Sequence, residues 1–231
     1  TLSQPKSNSP MSSPFGTRKS TGVWCRVAGG KIVRSAEETT PGAVKVEKKK
    51  NGLPTGEFKW ELHDDTVAGT IIGFERKIDQ YNGEPANSLI MRLVHNESGT
   101  QVNVQLPEGN RYWRGVLYRL LNLDVTLPIT IAPYEFTPDG ESKPKIGLNI
   151  LQKGEKVPAA FSKDNPQGMP DATRVTFKGK ERLDFTAQDE WLLQHVLLPV
   201  NAKLAEVLNA QATAPAPAVP GNDEELDDLP F

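Results

Sequence analysis

Between positions 66 and 152 the apolar residues fall into short alternating runs, broken once by a helical period. An alternating run over 66–78 predicts a long strand, and Gly69 and Gly73 within it permit sharp coiling. Runs over 88–95 and 100–106 predict two more strands, joined by a turn at 96–99, and a Gly/Pro-bearing loop at 79–87 precedes them. Alternation places Leu89, Met91, Leu93, Val102, Val104 and Leu106 on the core face. Over 108–123 the period changes, and Trp113, Val116, Leu117, Leu120 and Leu121 make one helical stripe. Arg111, Arg114 and Arg119 face away from that stripe and read as a solvated face. Strands resume over 127–136, with Ile129 and Ile131 inward, and over 145–152, with Ile146, Leu148 and Ile150 inward.

Strand, strand, strand, helix, strand, strand is the order of an oligonucleotide/oligosaccharide-binding (OB) barrel, with the helix between its third and fourth strands. The expected fold is therefore mainly β, an OB barrel over 66–161. It carries an N-terminal β extension over 23–65 and a segment of loop, strand and C-terminal helix over 162–210. Residues 1–22 are expected to be a flexible basic arm, and 211–231 a disordered linker and acidic tip.

In the extension, 23–27 and 31–33 read as strands around the turn Ala28-Gly29-Gly30, and 43–48 runs into a basic turn, Lys48-Lys49-Lys50-Asn51-Gly52. Those lysines either meet phosphate or form a solvated turn. Phe58 and Trp60 share one face of the next strand, and Lys59 and Glu61 the other. Trp24, near Arg18, Lys19 and Arg26, either belongs to a nucleic-acid surface or is buried under the hairpin. Runs over 154–161 and 173–178 predict extra strands. A last helix starts at Thr186 with a Thr186/Asp189 capping box, runs to about 209 and is kinked by Pro199; its stripe from Trp191 to Val207 is expected to pack on the body rather than on a second copy.

Charge alters this picture. The chain of 231 residues has a net charge of −2, but 223–228 hold five carboxylates, which leaves 27 basic against 24 acidic residues before position 211. The first 36 residues contain six cations and no acid. A basic body suits a polyanion, for which the acidic tail would compete. One cysteine, Cys25, excludes an intramolecular disulfide and fits a reducing cytoplasm. No apolar run reaches the roughly 20 residues of a membrane helix, and the N-terminus has no secretory h-region. Its Thr1 start suggests a removed initiator methionine. Residues 212–222, Ala/Pro-rich, should be extended and unable to bury surface.

After that linker comes Asp223-Glu224-Glu225-Leu226 and then Asp227-Asp228-Leu229-Pro230-Phe231. This stretch resembles the C-terminal tip of bacterial and phage single-stranded DNA-binding proteins. The resemblance covers about nine residues and implies that Asp227, Asp228, Leu229, Pro230 and Phe231 dock into pockets of replication, recombination or repair proteins. It also implies a body that coats single-stranded DNA, here of a divergent phage-type kind. The chain is expected to be a monomer or small homo-oligomer in the bacterial cytoplasm, with no membrane partner.

A sequence-tolerant single-strand site needs cations for phosphates and aromatic faces for bases. The expected DNA-binding residues are Phe74, Arg76, Tyr81, Arg92, Tyr134, Phe136, Lys143 and Lys145, drawn from the first strand, the outer face and the loops that serve OB ligands. Phe74 and Tyr134 are the two of these most suited to the core instead. The histidines His63, His95 and His195 lie far apart, Cys25 has no partner cysteine, and no phosphate loop is present, so neither catalytic residues, metal nor cofactor is expected. Two other classes stay open: an adaptor or inhibitor whose OB-like body binds protein and whose tip occupies replication-protein pockets without binding DNA, and a Mg²⁺-dependent nuclease built on Asp64 and Asp65.

Overall fold

The structure is a computed structural model, and it describes residues 22–50, 52–81, 84–162, 164–177 and 179–213; the basic arm and the acidic tip lie outside the described residues. The chain is mainly β. Strands β1 (Val23–Ala28) and β2 (Lys31–Ala36) turn through Gly29 and Gly30, both at positive φ (58° and 69°), the backbone that a two-residue hairpin of this twist demands. They are followed by β3 (Val44–Lys50), β4 (Leu53–Asp64), β5 (Val67–Lys77) and the two-residue strands β6 (Gln80–Tyr81) and β7 (Glu84–Pro85). Next come β8 (Ser88–Val94), β9 (Gln101–Pro107), helix α1 (Arg111–Leu117), β10 (Ile129–Phe136), β11 (Lys145–Gln152) and β12 (Glu155–Lys156). The hairpin β13 (Thr173–Phe177) and β14 (Lys180–Asp184) precedes helix α2 (Thr186–Leu192), a π-helical turn (Leu193–Leu197) and α3 (Leu198–Thr213).

Ten strands form one mixed sheet, β12-β11-β10-β5-β8-β9-β1-β2-β4-β3, and it does not close into the expected barrel. The edge of β9 explains the difference. A closing strand would need that edge, and β1 takes it in parallel, from Val23 opposite Val102 to Arg26 opposite Gln105. The N-terminal extension is thus part of the same sheet, and Cys25, Val27 and Ile32 enter the common core. Strand β5 divides as well. It pairs with β10 only from Val67 to Gly69. It pairs with β8 through a bulge between Ile71 and Gly73, the glycine-permitted distortion expected there. Beyond Gly69 its backbone is served by α3: the Phe74 N–H donates to Asn201 Oδ1 at 3.1 Å, and Asn201 Nδ2 donates to the Phe74 carbonyl at 2.9 Å.

The predicted inward residues of β8, β9 and β10 are buried, as are Leu148 and Ile150, while Ile146 packs against the core's margin. α1 is shorter than the 108–123 expected. The Asn110 side chain caps it by accepting the Trp113 N–H at 2.7 Å, and a 3-10 turn at Leu120–Asn122 replaces its last turns, leaving Leu121 exposed. The Thr186/Asp189 capping box does not form. Asp184 accepts from the Thr186 N–H (2.9 Å) and hydroxyl (2.7 Å), and Asp189 is drawn to Arg114. The π turn lies just before Pro199, whose ring cannot donate the next helical bond. Leu192, Val196, Val200 and Leu204 bury their stripe in the body.

Of the strand expected over 154–161, only Glu155–Lys156 forms a strand; the Val157 N–H still donates to the Ile150 carbonyl at 2.8 Å, and the Val157 and Phe161 side chains are buried in the core. In β4 the alternation is as read, but its buried member is Glu61, 4% exposed, and Phe58 lies open. Burial pushes the Glu61 carboxyl up, yet hydrogen bonds from Lys59, Arg26 and His63 outweigh it and hold the pKa at about 2.

Candidate nucleic-acid interface

Strands β10 and β11 build the floor of a groove. Alternation puts Tyr134 and Phe136 on one face of β10, and the register sets Tyr134 opposite Gly147 and Phe136 opposite Lys145 on β11. Gly147 is what lets the Tyr134 ring lie across β11, since a Cβ there would fall 2.3 Å from the tyrosine hydroxyl. The two rings sit 5.9 Å apart between centroids, tilted by 45°. Phe136 is 54% exposed. α1 forms the adjoining wall. Its Gly115 would carry a Cβ 3.5 Å from the Cβ of Leu148, so the small residue sets the close approach of helix and strand.

Two adjoining cavities, about 550 and 750 Å³, share Arg111, Tyr134 and Ile146 and together make this groove. Seven cationic side chains line it, Arg111, Arg114, Arg119, Lys143, Lys145, Lys156 and Arg182, against one carboxylate, Glu181. Four of the seven are already engaged, Arg182 among them. Arg114 grips Asp189 through two bonds of 2.6 and 2.7 Å and lies over the Phe185 ring at 4.0 Å. Arg119 donates to the carbonyls of Val157 (3.1 Å) and Gly115 (2.8 Å), and its burial lowers its pKa. Lys145 pairs with Glu141 at 2.8 Å on the exposed loop between the strands. Arg111, Lys143 and Lys156 make no ion pair among the described residues, so their charge faces the groove uncompensated.

Of the eight DNA-binding residues expected from the sequence, this groove gathers Tyr134, Phe136, Lys143 and Lys145. The others lie elsewhere. Phe74 is 7% exposed and packs in the core. Arg76 forks onto Glu108 with bonds of 2.9 and 2.7 Å, in a different cavity. Arg92 pairs with Glu75 on the face of β8. The side chain of Tyr81 and the whole stretch Asp227–Phe231 fall outside the described residues. Arg111, Asn149, Lys156 and Arg182 join the groove without having been expected. Arg111 had a visible signal, its place beside the aromatic stripe of α1; Lys156 and Arg182 reach the groove only through pairings of short polar strands.

Elsewhere several of the basic and acidic sequence features are partnered. Lys48 pairs with Glu57 at 3.0 Å, and Lys48–Lys50 belong to β3, an edge strand of the sheet, where lysines discourage further pairing. Trp24 is 45% exposed on β1, not buried under its hairpin. His63 meets Glu61 (3.2 Å), Asp64 meets Arg34 (3.0 Å) and Asp65 meets Lys31, and no metal-binding group of His, Cys, Asp and Glu occurs among the described residues. Cys25 is buried, and that burial, with Asp64 nearby, pushes its thiol up to about 11, so it stays protonated at neutral pH. No helix of the described residues is long and apolar enough to cross a membrane. Compared with protein-family models, curated proteins and solved structures, the chain matches none.

Proposed function

We propose that this protein binds single-stranded DNA without sequence preference, coats it during replication, recombination or repair, and recruits partner proteins through Asp227–Phe231. The observation that carries this reading is the groove, where uncompensated cations flank the Tyr134 and Phe136 rings. Phosphates are drawn by Arg111, Lys143 and Lys156, and bases find π faces on Phe136 and Tyr134, each stack being worth roughly 1–3 kcal/mol. Lys145 sits at the end of the last two-strand loop, and Asn149 offers an amide that any base edge satisfies.

Two further features support the reading. The order β11-β10-β5-β8-β9, with α1 between β9 and β10 in the chain, has the neighbours of an OB barrel opened between its third and fifth strands, with β1 on the freed edge. The acidic tip resembles that of the single-stranded DNA-binding family, which favours DNA as ligand and replication proteins as partners. No chemistry is required of the site; it holds a strand and releases it.

An anisotropy titration of a labelled 30-nucleotide dT strand, competed with duplex of the same length at two salt concentrations, tests the proposal. The expected result is strand-selective binding whose salt slope is about 0.7 per phosphate neutralised. Absence of binding, or equal displacement by duplex, would overturn it and leave the tip to act alone as an adaptor.

A further inference from the structure

The groove has a second wall of a different kind. Strands β13 and β14 form their own two-stranded sheet, from Thr173 opposite Asp184 to Phe177 opposite Lys180, and they pair with no strand of the ten-stranded sheet. Such a hairpin is marginally stable by itself, because it buries little and its backbone bonds face water. Its base, in contrast, is fixed. Asp184 holds the first turn of α2 through Thr186, Phe185 lies under the Arg114 guanidinium, and Arg114 is locked to Asp189 with both side chains largely buried.

The hairpin also presents the wrong side chains for a mere solvent-facing loop. Glu181, Arg182 and Leu183 line the larger of the two groove cavities together with Tyr134, Gly147 and Lys143. Glu181 is turned to Arg174 at 3.5 Å, a cross-strand pair of two exposed side chains. Leu183 is 53% exposed there, an apolar group left half open among the described residues. Opposite a basic floor, what would cover it is a base or sugar of a bound strand, and the cation beside it would meet a phosphate.

We propose that the β13–β14 hairpin is a flap of the DNA site: it closes over the strand in the groove, with Arg182 contacting phosphate and Leu183 packing on the nucleotide. This rests on the groove reading above and adds to it which residues govern release. The flap acts after encounter, so it slows dissociation and leaves association to the fixed cations of the floor.

Amide hydrogen exchange of the full chain, with and without the dT strand, is the test. With DNA, the amides of Thr173–Phe177 and Lys180–Asp184 should slow along with those of β10 and β11. Protection of β10 and β11 with an unchanged hairpin overturns the flap and keeps the groove. No protection anywhere, with no binding by anisotropy, overturns both. The double substitution Arg182→Ala, Leu183→Ala changes exposed groups and should keep the thermal melt. Dissociation of the dT strand should speed up about tenfold with association nearly unchanged, whereas wild-type dissociation would contradict the flap.

Discussion

Two concave regions of this molecule are lined by arginine, yet only one is built to attract a polyanion. The groove over β10 and β11 sets seven cations against Glu181. The cavity near the start of β8, about 580 Å³, sets Arg76 against Glu108, Asp189 and Glu190. The Arg114–Asp189 pair is the partition, with its guanidinium lining the groove and its carboxylate lining the other cavity. Arg76 has its fork filled by Glu108, so a phosphate arriving there would displace a good partner and meet three carboxylates. The lesson is that the carboxylates around a cation decide whether its site attracts a phosphate.

The largest expected effect sharpens that contrast. Reversing two uncompensated groove charges, Arg111→Glu with Lys156→Glu, should weaken dT-strand binding by about a hundredfold and flatten its salt slope. Arg76→Ala, in the other cavity, should leave affinity within about twofold. Comparable losses from both would erase the distinction. Next in size, Phe136→Ala removes an exposed ring, so it should cost roughly 1–3 kcal/mol of binding with an unchanged melt. Gly147→Ala is smaller: the new methyl would meet the Tyr134 hydroxyl, the ring must swing away, and affinity should fall about threefold while the fold persists.

Smallest of all for binding is Glu61→Gln, which lies outside both cavities and should leave affinity unaltered while lowering stability. The sign follows from the folded pKa of about 2 against an ordinary 4.5. A depressed carboxyl contributes stability that is full above about pH 4.5 and lost as pH falls towards 2. Urea melts of the variant and the parent should therefore differ at pH 7 and converge towards pH 2.

Much of the fold was legible because side-chain alternation survives wherever one face of a strand is buried. The 145–152 strand appears at its predicted bounds, and Leu89, Met91, Leu93, Val104 and Leu106 are buried as read. Closure was not legible. Which strand takes the free backbone edge of β9 is decided by N–H and C=O groups that every residue carries, and β1 won it. Strand β14 was missed because Lys-Glu-Arg-Leu-Asp offers a single apolar residue and no period.

For the site, alternation within one strand brought Tyr134 and Phe136 together, and loop position added Lys143 and Lys145. What failed was pairing across the chain. Arg76 and Glu108 are 32 positions apart, and nothing local tells that their charges cancel. Arg111, Lys156 and Arg182 meet only because α1, β12 and β14 converge on the same floor.

Photocross-linking of a bromodeoxyuridine-substituted dT strand to the full chain, with the attached peptides identified by mass spectrometry, tests the location of the site most directly. Cross-links to Tyr134 or Phe136, lost in the Arg111→Glu, Lys156→Glu protein, are the expected result. Cross-links confined to Trp24 or to Phe58 on the β3–β4 hairpin, with Tyr134 and Phe136 untouched, would contradict the groove as the place where the strand is held.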